Sequence, residues 1–302
     1  VLSWLGLRLP DRVPWRAGIF PNVYHKAEIA LLAIYSVELL YNQLPSLAGE
    51  ALRQELEQLG HTVDKIRPGR APGSFVFSFP APLLDVAHQA AQSPLMVIVV
   101  RDEPLPYDEL RPALQQAAEW PQANTVVAPH TAVVQISDFH AEGLDARTRL
   151  AFMHDVVSAL LALAPPIAIH WQPSQRLIPP DRYRAERRGG HDPIFPAVHL
   201  RHFTVEDPLV DETVTDTLGL TALGLPDLQC HYTGLTRETV ATVLQRVAYV
   251  LFAQGNVLGE GDTVAGLTPE QPWRCRRQLS LIPPVREIID LDPGAPYAPN
   301  QS

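Results

Sequence analysis

Apolar and polar positions along this chain fall into two alternating periods, and each change of period marks a predicted element. The run AEIALLAIYSVE reads as a buried strand. SLAGEALRQELEQLG then predicts a helix capped by Ser46 and ended by Gly60, with Leu47, Leu52, Leu56 and Leu59 near one face. SFVFSF sets serines against Phe75, Val76 and Phe77 and predicts a strand, followed by a short helix around Leu83 to Ala91. PLMVIVVRD is a continuous apolar run, the pattern of a strand covered on both faces. A helix over YDELRPALQQAAEW and a strand over TAVVQISDF come next. The clearest helix is DARTRLAFMHDVVSALLALAPP, with Leu150, Met153, Val156, Val157, Leu160 and Leu161 on one stripe and Pro165 and Pro166 as its stop. IAIHW returns as a strand.

PPDRYRAERRGGHDP combines prolines, paired glycines and a basic cluster with no apolar period, so a division is placed near Gly190. Residues 1–25 are expected to be irregular, 26–190 to form an N-terminal α/β lobe and 191–302 a C-terminal α+β lobe. In the latter, AVHLRHFTV and DLQCHY predict strands. TRETVATVLQRVAYVLFAQG predicts a helix capped by Thr236, with Val240, Val243, Leu244, Val247 and Val250 inward. WRCRRQLSLI and REIIDL read as terminal strands. No repeat period appears, which excludes a solenoid or a propeller. The fold class is α+β (mixed α/β): mixed sheets with helices packed on one face, in two strand–helix lobes.

Composition narrows the function classes. A chain of 302 residues with 46% hydrophobic content can bury a large core without staples. Its two cysteines, Cys230 and Cys275, have no metal-type spacing, and a reducing cytoplasm is the expected compartment. A net charge of -9 and a pI near 5.6 argue against a nucleic-acid partner. The longest apolar stretch, Ile29 to Leu40, is interrupted by Tyr35, Ser36 and Glu38, so no membrane span is expected, and the start of the chain reads as a poor secretory signal. Prolines number 30, while lysine occurs only at Lys26 and Lys65, leaving arginine to carry the remaining positive charge.

Candidate chemistry is sparse. Gly219 and Gly224 have the spacing of a Walker loop, but Leu225 and Pro226 stand where lysine and a hydroxyl residue are needed. Gly219, Gly224, Pro226 and Asp227 therefore read as a structural turn. His199 and His202 would point to opposite faces of one strand, and no metal or cofactor is expected. His170 and Trp171, in HWQPS, sit at a strand end, where α/β proteins often contact ligands; no nucleophile elbow accompanies Ser174. Cys275 has Arg274, Arg276 and Arg277 as neighbours, which could lower its pKa, although a cysteine on a strand is more often a buried hydrophobe. Glu206, Asp207, Asp211, Glu212 and Asp216 form an acidic run, read as a solvated loop or an acidic contact surface.

TLGLTALGLPDLQCHY, the helix that follows it, WRCRRQLSLIPPVREIIDLDPG and PIAIHW with LIPPDRY together resemble a bacterial domain-of-unknown-function family, DUF4261. The resemblance is best from about Ala132 onward and does not reach residues before about Lys26. It carries over no reaction, cofactor or catalytic residue. The association of related bacterial domains with interbacterial competition implies a binding role, as an immunity-like or accessory protein. The expected function is thus a cytoplasmic protein-binding module whose partner is another protein. The alternative is a hydrolase or transferase with its site at strand ends near His170, Trp171, His231 and Cys275.

Overall fold

The structure, a computed structural model, describes residues 35–63, 65–69, 73–78, 94–139, 141, 144–190, 192–205, 211–268 and 270–299. All of these lie in one compact unit, Leu32–Ser302. The expected irregular start and the expected helix around Leu83 to Ala91 lie outside the described residues, as do Glu206 and Asp207.

The first sheet has the order β2-β3-β4-β5-β1-β6-β7, with every neighbouring pair antiparallel. Its strands are β1 (Ser36–Tyr41), β2 (Lys65–Pro68), β3 (Phe75–Ser78), β4 (Leu95–Arg101), β5 (Ala132–Phe139), β6 (Ala168–Trp171) and β7 (Arg176–Ile178). β1 lies between β5 and β6, and all six of its residues are buried. β4, expected to be covered on both faces, instead alternates: Met96, Ile98 and Val100 are buried, while Leu95, Val97 and Val99 are half-buried. An apolar run alone does not show how well each face is covered.

Side chains of β1 alternate between two interiors. Val37 and Leu39, with Val134, Ile136 and Trp171, pack against α1 (Gly49–Gln58) and α4 (Ala146–Leu163) through Leu52, Leu56, Leu150, Met153 and Val157. On the other face, Leu40, Val133, Ala168 and Leu177 meet Leu110 and Ala113 of α2 (Tyr107–Gln115) and Val127 of α3 (Ala123–Val127). This sheet therefore carries helices on both faces. The first helix begins after Ala48 with no side-chain cap, so Ser46 does not cap it, and Leu59 is exposed. Asp145 caps α4 by accepting from the amides of Arg147 and Thr148, both at 3.1 Å.

The arginine-rich segment read as a boundary is a helix, α5 (Pro180–Gly189), with a proline in its first turn and a left-handed Gly190 closing it. Tyr183 is its one buried residue, too little apolar content to show a period.

The second sheet has the order β11-β12-β13-β10-β9-β8. It is built from β8 (His199–Thr204), β9 (Glu212–Leu218), β10 (Asp227–Thr233), β11 (Thr263–Val264), β12 (Trp273–Leu279) and β13 (Glu287–Asp292). β10 and β13 are parallel; the helix α6 (Arg237–Gln254) lies between them in sequence, and the other neighbours are antiparallel. Thr236 caps α6, whose Val240, Val243, Leu244, Val247 and Leu251 cover Leu228, Cys230, Tyr232, Trp273, Ile289 and Leu291. Val250, expected inward, is exposed. The two interiors meet: Ala146 and Phe252 pack against both, and Phe195, Ala197, Ala222 and Leu223 join the first.

Candidate functional site

Strand alternation sends Arg201, Asp216, Gln229 and Asp290 to the face of the second sheet away from α6, in cross-strand register. Such a face is commonly solvated. Here it is closed: Asp216, Asp227 and Gln229 are fully buried, and Arg201, Arg286 and Asp290 nearly so.

Two aspartates and two arginines form one network. Arg201 grips Asp216 with two parallel bonds, Nε at 2.9 Å and Nη2 at 2.5 Å, and Arg286 Nη2 donates to the same carboxylate at 2.9 Å. Arg286 Nε donates to Asp227 at 2.9 Å. Burial opposes the Arg286 charge, but Asp227 and Asp216 outweigh it and hold its pKa above the ordinary value. With equal numbers of charges and nearly complete hydrogen bonding, the cluster meets the conditions under which buried ions are tolerated.

Asp227 also shapes the turn before β10. Its carboxylate accepts from the Leu220 amide at 3.0 Å, the Thr217 hydroxyl at 3.1 Å and the Thr221 hydroxyl at 2.8 Å. Gly219 has φ 123° there, and a Cβ on it would lie 2.0 Å from the Ala197 carbonyl oxygen. Gly219, Gly224 and Asp227 thus build a backbone turn pinned by a buried carboxylate.

The same network holds the hairpin from Ser280 to Arg286. Prolines 283 and 284 offer no N–H, so donors must come from elsewhere. Arg201 Nη1 donates to the Pro283 carbonyl at 3.0 Å, and Arg286 Nη1 to those of Pro284 at 2.9 Å and Ile282 at 3.3 Å. The Ser280 hydroxyl donates to Pro284 at 3.1 Å and accepts from the Arg286 amide at 3.2 Å, while Gln229 Oε1 accepts from the Leu281 amide at 2.8 Å. Gln229 also donates to Asp290 at 3.1 Å. Burial raises Asp290 to about 6 despite that bond. On this rigid support the side chains of Leu279, Leu281 and Val285 are 52%, 38% and 62% exposed, beside exposed Pro283 and Pro284.

The remaining sequence candidates do not converge. His170, in the first sheet, meets Glu38 through Nδ1 at 2.8 Å, and Glu38 also receives Arg101 at 3.3 Å. Trp171 points to the other face and donates to the Tyr35 hydroxyl at 2.6 Å. His231 pairs with Glu212 at 2.9 Å on the network face of the second sheet. Cys275 lies in the opposite, α6-covered interior. Burial, with Asp262 and Glu260, raises its thiol to about 11, the reverse of the lowering that its arginine neighbours suggest in sequence. Of the acidic run, Asp216 is buried in the network, Glu212 is paired and Asp211 is exposed. The second half of that run is therefore strand β9, not a solvated loop.

Burial depresses both His154 and His199 to about 3. No group of His, Cys, Asp and Glu side chains fit to hold a metal occurs among the described residues. A depression lined by Leu95, Met96, Asp138, Arg149 and Phe152 has its two charges already bonded to each other, at 2.6 and 2.8 Å. Arg201, Gln229 and Arg286 belong to no motif that marks them as functional in the sequence. The signal for Arg286 was the spacing Ser280, Pro283, Pro284, Arg286, a hairpin whose prolines cannot close it alone.

Residues 216–292 match the family model described as Domain of unknown function (DUF4261). This is a narrower span than the resemblance from Ala132 onward, and it holds Asp216, Asp227, Gln229, Arg286 and Asp290, while Arg201 precedes it. No curated protein and no solved structure matches the chain. No helix among the described residues is long and apolar enough to cross a membrane.

Proposed function

We propose that the chain is a protein-binding module that docks through the hairpin Leu279–Arg286. The observation that carries this reading is the presentation to solvent of Leu281 and Val285, on a loop whose carbonyls are held by two buried arginines, and of Leu279 at the adjoining end of β12. A loop fixed in advance loses little entropy on binding, and burying each such side chain contributes about 1–2 kcal/mol. Clustered exposed apolar side chains are a common mark of an interaction surface.

An acidic docking face has less support, because Asp216 is interior and Glu212 is paired with His231. A cytoplasmic, immunity-like or accessory role is a narrower form of the same proposal and rests on the family resemblance alone. The hydrolase or transferase alternative has no comparable observation, since its four residues lie on separate faces.

The test is affinity capture with the wild-type chain and with the double variant Leu281→Asp, Val285→Asp. Both side chains are solvent-exposed, so the variant is expected to keep its melting temperature within a few degrees. A partner enriched by the wild type and reduced at least tenfold with the variant is the expected result. Equal capture by both would rule out the hairpin as the contact.

A further inference from the structure

Beside the hairpin, the second sheet ends in a partly open edge. β11 pairs only with Trp273 and Arg274, and the chain before it continues as far as Cys275, whose N–H donates to Asp262 at 2.7 Å and whose carbonyl accepts from Gly261 at 2.9 Å. The Ser280 amide donates to Arg286 at 2.8 Å, which turns the even-numbered residues of β12 toward β13. Arg277 and Leu279, like Cys275, therefore direct their backbone groups outward. The Glu260 carboxylate occupies the Arg277 N–H at 2.5 Å. Among the described residues, the Arg277 carbonyl and both backbone groups of Leu279 have no hydrogen-bond partner.

We propose that this edge receives an extended apolar segment of a partner protein, which adds as a short strand beside β12. Resting on the protein-binding reading above, this names the form the partner takes. One residue of the incoming strand exchanges both backbone hydrogen bonds with Leu279, and a residue two positions away donates to the Arg277 carbonyl. Its side chains meet the exposed Leu279 at the edge, next in the chain to the hairpin that exposes Leu281 and Val285. A helix cannot fill this role, because its own backbone groups are already bonded, whereas strand addition uses the outward donor and acceptors and the apolar flank together. The Glu260 cap and the short β11 limit the opening to about three residues, which protects the edge from indiscriminate pairing.

The probe is a phage-displayed library of random decapeptides selected on the full chain, with selected peptides then measured against Leu279→Pro. That substitution deletes an outward N–H and leaves the β12–β13 ladder intact. The expected result is enrichment of apolar peptides lacking central proline, with affinity falling at least tenfold on Leu279→Pro. N-methylation of alternate peptide amides should cause a similar loss, a readout independent of how the variant folds. Peptides that tolerate N-methylation, or the absence of any enrichment, overturn the strand-addition proposal. A dimer of the wild type that Leu279→Pro dissolves would overturn the partner assignment in favour of a second copy. If strand addition fails while the Leu281→Asp, Val285→Asp variant still loses its captured protein, the hairpin reading stands alone.

Discussion

Asp290 separates charge from stability most clearly among the individual residues. Its carboxyl is raised to about 6, first by burial and then by Asp292, against the lowering effects of Gln229, His231 and Arg276. The folded chain therefore binds this proton more tightly than the unfolded chain does. The contribution to stability is complete below the unfolded value near 4 and is lost as pH rises through about 6. Asp290→Asn is expected to stabilise the protein at pH 7.5 by up to about 3 kcal/mol, with the gain vanishing near pH 4. Urea unfolding of both proteins across that range checks the sign, and a gain independent of pH would show that packing, not titration, is responsible. Little of this was legible in sequence. Asp216, Asp227 and Asp290 are equally acidic on paper, and only their neighbours in the folded sheet and its hairpin decide that two pair with arginine and one with an amide.

For the elements, legibility followed the amount of apolar content each one carries. The stripe of α4 and the cap of α6 were readable because a helix that buries one face repeats its apolar residues every three or four positions. The arginine-rich helix α5 was missed because Tyr183 is its one buried residue. Strand β9 was missed for a different reason: Glu212, Asp216 and three threonines read as a loop until Arg201 and Arg286 neutralise the aspartate inside the sheet. The turn joining β9 to β10 yields a sharp prediction. Gly219→Ala would set a methyl against the Ala197 carbonyl and force φ 123° on a residue with a side chain. It is expected to cost at least about 2 kcal/mol, while Gly224→Ala, which has open space around it, should cost less. Thermal unfolding of the two variants decides the order, and equal losses would contradict the close approach.

Across the whole described unit, the two sheets share an interior. Phe252 of α6 and Ala146 of α4 touch both apolar clusters, and the Arg149 guanidinium donates to the Ala222 carbonyl at 2.6 Å in the turn before β10. Unfolding is therefore expected to be a single cooperative transition, with tryptophans in both sheets, Trp171 and Trp273, reporting the same midpoint. Phe252→Ala should lower that midpoint for both probes together, with a loss of stability of about 2–4 kcal/mol given its partial burial. Two separated transitions would show that the sheets fold independently.

By itself the sequence determined the α+β class, most of the strands and helices, and the resemblance now seen as a family match over residues 216–292. Each of these follows from local periodicity or a local run of residues, which a chain carries before it folds. Tertiary structure alone decided that Asp216 and Asp227 are interior, that His170, His231 and Cys275 lie apart, and that Leu279, Leu281 and Val285 face solvent. Those outcomes depend on which strands become neighbours, and β10 finds β13 only after α6 has crossed between them. Pairing between positions some 60 residues apart is a property of the closed sheet, and the buried charges and the exposed hairpin exist only once it has formed.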